Sequence, residues 1–184
     1  MVEEKEPTTP EAAVERCALE FEQLIVDHLK DDRGVHIETA ITAAGSVAGY
    51  LLLRETGIDL TALKPGSVVL VDQVNETGPR MVGFMAEVCV REGVDPAGGW
   101  TEKISQAHQP LFPAIDLARD LHPGLARLAD RYGVAVELRP RIAAAAAIKL
   151  VRMGSQALDT GLGKAIALWA MLSAAKTVPH HSGA

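Results

Sequence analysis

The chain has 184 residues, of which 48% are hydrophobic and 23% are charged, and its formal net charge is −6 at pH 7. These values are typical of one soluble globular domain, and the acidic charge, with only two Trp, two Tyr and three Phe residues, argues against a nucleic-acid-binding surface. Two cysteines, Cys17 and Cys89, cannot by themselves form a disulfide framework or a four-ligand zinc site.

The first predicted helix is amphipathic. Residues 8–11 form a Thr-x-x-Glu capping box, and apolar residues then recur every three or four positions up to about Leu29, with His28 on the apolar side. The second helix, over about 36–56, is apolar almost all round, which predicts a place in the middle of a bundle. Its Gly45 and Gly49 form a small face that permits close approach of another backbone.

The stretch from Ser67 to Arg80 is the most ambiguous part of the chain. Its β-branched residues favour a strand, but no second convincing strand is present to satisfy its backbone groups. We therefore predict a helix, with a short strand or extended segment near 67–74 as the alternative. Gly78 and Pro79 are predicted to separate this helix from another over 81–91.

The remaining chain is predicted to be helical after one irregular segment. Residues 93–113 are rich in glycine and proline and carry Trp100 and His108. Helices are expected over 114–132 with a break or kink before Pro123, from 140 to about 153, and from about 162 to 176; residues 134–138 are expected to form a short strand or a linker. The prediction is an all-α, single-domain helical bundle of about six to eight helices over residues 10–179, with an acidic N-terminal tail at 1–9 and a C-terminal tail at 180–184.

Charge is distributed unevenly along the chain. Residues 1–32 contain ten acidic and three basic residues, whereas residues 139–184 contain six basic residues and one acidic residue. Either the acidic first helix docks on the basic last pair of helices, within or between subunits, or both surfaces are solvated. Because exposed ion pairs contribute only about 0–1 kcal/mol each, we favour the second interpretation.

Known catalytic and cofactor motifs are incomplete. The segment Gly161-Leu162-Gly163-Lys164 has part of a phosphate-loop pattern, but it lacks glycine at 158 and Ser or Thr at 165. His36-x-Glu38 matches half of a zinc deaminase signature without the following Pro-Cys-x-x-Cys. The sequence therefore identifies no cofactor and predicts no metal site.

One polar cluster remains as a candidate site. Asp72, Asn75 and Glu76 are spaced i, i+3 and i+4, so a helix places them on one face, with Arg80 one turn further on. Two interpretations fit this spacing: an Asp/Glu–Arg brace between two helices, or a pocket for a cation or cationic ligand. The further candidates are Glu87, beyond Arg80, and the loop of Trp100 and His108, which would cover such a pocket.

The sequence favours a soluble, cytoplasmic, non-catalytic module that forms a homo-oligomer, such as a homodimer, or binds a partner. The contact would use the small face at Gly45 and Gly49 or the amphipathic first helix. The alternative is a small-molecule- or metal-binding protein or enzyme with an acidic/Arg pocket around Asp72–Arg80. A nucleic-acid contact through 139–176 is least favoured, and no membrane contact is expected, since the longest uncharged apolar window, fifteen residues between Glu38 and Arg54, is shorter than the ~20 needed to span a bilayer.

Overall fold

A computed structural model describes residues 9–97 and 103–179. Within these ranges the chain forms a bundle of six α-helices and contains no named strand, which confirms the predicted all-α fold. The helices are α1 (Pro10–Leu29), α2 (Ile37–Glu55), α3 (Asp72–Glu92), α4 (Ala114–Tyr132), α5 (Arg139–Met153) and α6 (Thr160–Ala174). Short 3-10 turns at Leu60–Ala62, Gln106–His108 and Val136–Leu138 connect them.

Helix α2 lies at the centre of the bundle. It packs against α4, α5 and α6, and every residue from Thr39 to Gly49 is buried. This position follows from its composition, because a helix that is apolar on all sides stabilises the fold only if neighbours cover all of its surface. The alanine-rich segment of α5, from Ala143 to Ala147, is also fully buried, and its small side chains allow neighbouring helices to approach closely.

The small face of α2 is covered by α6 of the same chain. A Cβ atom added to Gly49 would lie 2.0 Å from the carbonyl oxygen of Met171, and one added to Gly45 would lie 2.6 Å from the carbonyl oxygen of Ala167. Close backbone packing was predicted for these glycines, but the partner is an intramolecular helix. The surface that we expected to contact a second copy is therefore occupied.

Residues 67–92 differ from the sequence prediction. Residues 67–71 are extended, which matches the alternative and not the favoured helix, and residues 66–69 pair with residues 176–178 around an isolated antiparallel bridge between Val68 and Thr177. Helix α3 then continues without a break from Asp72 to Glu92, with Pro79 inside it. Pro79 has no backbone N–H to donate, so the carbonyl of Asn75, four residues earlier, lacks its helical hydrogen bond. Asn75 is exposed, and water has access to it.

Three smaller predictions are also corrected. Helix α4 continues through Pro123 instead of breaking before it. Residues 136–138 form a 3-10 turn, so of the two alternatives the linker is confirmed and the strand is not, and His28 is exposed, not on the buried side of α1. No helix within 9–97 or 103–179 has both the length and the hydropathy needed to cross a membrane.

Candidate functional site

The predicted polar cluster lies on the solvent-exposed side of α3. Asp72, Asn75, Glu76 and Arg80 are all exposed, and across the described residues no ion pair joins Arg80 to either carboxylate. They line none of the three grooves described below. Among the described residues the ion pairs of the predicted brace are therefore not formed, and the four residues lie outside these three grooves.

His108 is far from this cluster. Its Nδ1 lies 3.1 Å from Oε1 of Glu38, near the start of α2, whereas Gln73 beside Asp72 contacts the carbonyl of Glu55 at the end of α2. The two ends of this helix are about 25 Å apart at 1.5 Å per residue. The structure thus separates His108 from the cluster that it was expected to cover, and Trp100, on the same predicted lid, lies outside the described residues.

His108 instead belongs to a polar node around Glu38. Burial acts to raise the pKa of Glu38, but the hydrogen bond from His108 and the neighbouring His36 and His108 rings hold it below its usual value. Thr39 accepts a hydrogen bond from the backbone N–H of Leu111 at 2.9 Å. These contacts attach the segment after residue 103 to the start of α2, and in the described part of the chain no group of three His, Cys, Asp or Glu residues is placed to hold a metal ion.

A cavity lies between α1 and α3. Both helices pack against α5 but make little contact with each other, which leaves a groove of about 710 Å³ that we call the acidic groove. Its apolar lining residues include Val14, Phe84 and Leu138. Its charged lining residues are Glu11, Glu15, Glu87, Arg91, Glu92 and Arg141. Among the three grooves described in this section, Glu87 is therefore the predicted site residue that contributes to a lining.

The charged groups of the acidic groove are not equally paired. Glu15 lies 3.7 Å from Arg91 and is bound by Lys149. By contrast, Glu11 and Glu87 are exposed and take part in none of the ion pairs of the described chain. Arg141 lies 5.3 Å from the centroid of the Phe84 ring in a cation–π contact. Two carboxylates therefore remain available beside an aromatic surface that already attracts a cation.

A buried ion-pair network limits the acidic groove on its α5 side. The Lys149 side chain is only 8% exposed, and its ammonium donates to Glu15 and, at 2.6 Å, to Glu92. Burial acts to lower the pKa of Lys149, but the hydrogen bonds to these two carboxylates raise it above its usual value. Glu92 also faces a smaller groove of about 210 Å³ with Leu19, Arg152 and Met153. The network therefore joins α1, α3 and α5 and keeps Lys149 charged.

A third groove, of about 520 Å³, lies between α2 and α4. Arg54 stacks over the ring of Tyr50 and lies 3.3 Å from Nε2 of His122. Burial lowers the pKa of His122, so its neutral ring donates from Nδ1 to the carbonyl of Arg119 and accepts from Arg54. The Arg119 guanidinium is bound by Asp116 and Asp120. The cationic groups here are largely engaged within the fold.

The partial phosphate-loop segment has a structural role. Lys164 is 3% exposed, and its ammonium donates to the carbonyl oxygens of Asp95, Pro96 and Ala97 at 3.0, 2.9 and 2.8 Å. All three protons are therefore used to hold the segment after α3. This agrees with the incomplete motif, because the amine that would bind a phosphate is already saturated.

The two cysteines are buried thiols. Burial, with a contribution from Glu20, raises the pKa of Cys17 to about 11. Burial also raises the pKa of Cys89. Both are therefore protonated near neutral pH, whereas a nucleophilic or metal-binding cysteine acts as the thiolate.

Glu55, at the end of α2, predicts a pH-dependent stability. Its buried Oε1 has no hydrogen-bond partner, and burial together with the Glu137 charge raises its pKa from 4.5 to about 7. The folded state therefore binds this proton more tightly than the unfolded state does. The protonated Glu55 makes its full contribution to the stability of the fold below pH 4.5, and this contribution is lost as the pH rises through about 7. We expect Glu55→Gln to raise the free energy of unfolding by about 1–2 kcal/mol near pH 8, after allowing for partial solvent screening, and to change little near pH 5.

Urea denaturation of the wild type and Glu55→Gln across this pH range measures the effect. Glu76→Gln, which changes an exposed glutamate on α3, is the matched control. A stability difference between wild type and Glu55→Gln that does not vary with pH would contradict the assignment.

Comparisons with models of known protein families, with curated proteins and with solved structures found no match for this chain.

Proposed function

We propose that this chain is a binding protein, not a catalyst, and that the acidic groove binds an organic cation with an apolar body. The observation that carries the proposal is the position of the unpaired carboxylates of Glu11 and Glu87 in the same cavity as the Phe84 ring. A volume of about 710 Å³ is within the ~300–1,000 Å³ usual for small-molecule sites, which combine apolar walls with a few polar groups.

The position of the unpaired carboxylates in the groove favours a cation. Four carboxylates and two guanidinium groups line it, and Lys149 and Arg152 pair with the inner carboxylates Glu15 and Glu92, so the negative charge of the lining that has no ion-pair partner in the described chain lies at Glu11 and Glu87. A ligand ammonium between Glu11 and Glu87 gains charge-assisted hydrogen bonds, while its apolar body covers Val14 and Leu138.

This proposal takes up the alternative from the sequence, a small-molecule-binding protein with an acidic/Arg pocket, and relocates its site. The cationic ligand that the sequence suggested for Asp72–Arg80 is assigned to the groove that contains Glu87. The third groove is the weaker candidate, because its Arg119 and His122 already have partners in the fold.

Binding of phenethylammonium, followed by calorimetric titration, tests the proposal. We expect saturable binding with a Kd of about 1 mM or lower, and no binding of the acidic counterpart 3-phenylpropionate. Glu87→Lys is expected to weaken phenethylammonium binding roughly tenfold, since it replaces an attraction by a repulsion at the mouth of the groove.

Glu76→Lys is the matched control, because it makes the same charge change on the same helix outside the groove. It is expected to change the affinity less than about twofold, since a Debye length of ~10 Å screens distant surface charge. Equal weakening by the two variants, or binding of the anion as strongly as the cation, would overturn the proposal.

A further inference from the structure

Residues 67–71 form a short extended edge whose inner side is already paired. Ser67 accepts a hydrogen bond from the N–H of Val178 at 2.9 Å, and the N–H of Val69 donates to Lys176 at 2.8 Å. Exposure alternates along the segment, with Val69 and Val71 half-buried and Val68 and Leu70 exposed. This period of two is that of a β-strand packed on one face.

The outer side of this edge has no partner within the described chain. Because the backbone groups of successive residues point in opposite directions along a strand, the N–H and C=O groups of Val68 and Leu70 face away from residues 176–178. None of these four groups forms a hydrogen bond in residues 9–97 or 103–179. The Val68 and Leu70 residues are 70% and 82% exposed, the two highest values among the large hydrophobic residues described.

Two common protections against edge pairing are absent from the segment. Natural edge strands are commonly blocked by their short length, by charged residues or proline, by a bulge or by a covering helix. Residues 67–71 contain no charge and no proline, and no helix covers their outer side, as the exposure of Val68 and Leu70 shows. An open apolar edge of this kind is a template for another strand.

We propose that the partner is a second copy of this chain, paired antiparallel through residues 67–71 about a two-fold axis at Val69. In this register Val68 lies opposite Leu70 of the second copy, and the four outward backbone groups of each copy are all satisfied by four hydrogen bonds. The exposed Val68 and Leu70 side chains then meet across the axis as apolar cross-strand pairs. A C2 arrangement of this kind uses the same surface on both copies.

Charge and sheet size favour this occupant. Lys64 precedes the segment and Asp72 follows it, both exposed, so antiparallel pairing brings each lysine towards the aspartate of the second copy. Pairing also extends the isolated two-segment ribbon of 66–69 and 176–178 into four antiparallel segments, and ribbons of only two strands are marginal in water. The dimer does not depend on the acidic groove, which is formed at the other end of α3.

Sedimentation velocity across a concentration series tests the dimer. The contact is small, so we expect a weak monomer–dimer equilibrium with a Kd of about 0.1 mM. Leu70→Lys is expected to weaken association at least tenfold, because it removes the apolar contact between Leu70 and Val68 of the second copy and places two like charges near the two-fold axis. Val90→Lys, at a residue 65% exposed on α3, introduces the same charge elsewhere and is expected to leave association unchanged.

A cysteine mixture tests the register. Val68→Cys mixed with Leu70→Cys is expected to form a mixed disulfide faster than either variant alone, since directly opposite positions are about 5.5 Å apart and diagonal ones are beyond disulfide reach. Cys17 and Cys89 are fully buried and do not interfere. A wild type that stays monomeric to about 1 mM, equal loss of association in Val90→Lys, or no preference for the mixed disulfide each overturns the proposal.

Discussion

Gly49→Ala is expected to lower the free energy of unfolding by about 2–4 kcal/mol, because it introduces overpacking at the centre of the bundle. The new Cβ would lie 2.0 Å from the carbonyl oxygen of Met171 and 2.8 Å from the amide nitrogen of Ala175. Both are backbone atoms, so the clash cannot be relieved by a rotamer change and α6 must move away from α2. The gain in helix propensity, about 1 kcal/mol, offsets only part of this cost.

Gly83→Ala is the matched control. Gly83 is also inside a helix, but an added Cβ there has no neighbouring atom within 4 Å. It is expected to stabilise the fold by about 0.5–1 kcal/mol, the ordinary propensity difference between glycine and alanine. Urea denaturation measures both changes, and a Gly49→Ala protein as stable as Gly83→Ala would show that α2 and α6 are not packed at backbone contact.

The position of α2 was predictable from the sequence, but its neighbour was not. Its apolar surface on all sides requires a central place, and Gly45 and Gly49 predict a close helix contact. The glycine spacing, however, describes only the α2 side of this contact and does not identify the helix on the other side. Here the approaching backbone is α6 of the same chain. The glycine spacing fits a second copy equally well, and for this reason an intermolecular contact was expected.

The segment 67–71 shows why the sequence favoured a helix and kept an extended segment only as the alternative. Its pairing partner, residues 176–178, is three residues long and directly follows α6, so it has no alternating pattern of its own. Pairing across more than a hundred residues of sequence is determined by how α3 and α6 pack, and local propensity does not contain that information. Pro79 was overinterpreted for a related reason, since tertiary packing maintains α3 through it.

The acidic groove illustrates the limit for site prediction. Glu87 was selected because it follows Arg80 along the sequence, but Glu11 and Arg141 come from α1 and α5. No spacing rule joins residues on three helices. The available signal was the contrast between an acidic N-terminal segment and a basic C-terminal one, and Glu15 with Lys149 shows that α1 and α5 do meet through opposite charges.

Lys149→Met is expected to lower the free energy of unfolding by about 3 kcal/mol, the lower end of the range for breaking a buried ion pair. The substitution keeps the side-chain length but leaves Glu92, 16% exposed, and Glu15, 39% exposed, without their shared cation. Arg152 lies 3.7 Å from Glu92 and compensates in part. The loss should be smaller at acid pH, because protonation of the two carboxylates removes the uncompensated charge.

Lys30→Met, at an exposed lysine, is the control and should change stability by less than about 0.5 kcal/mol. The Lys149 variant also separates structure from binding. Since Glu15 and Glu92 line the acidic groove, removal of their cation makes the groove more negative, and phenethylammonium should bind about two- to fivefold more tightly to the less stable protein. Weaker phenethylammonium binding in the folded variant would contradict a cation site, because removal of a nearby positive charge should strengthen the attraction of the groove for a cation.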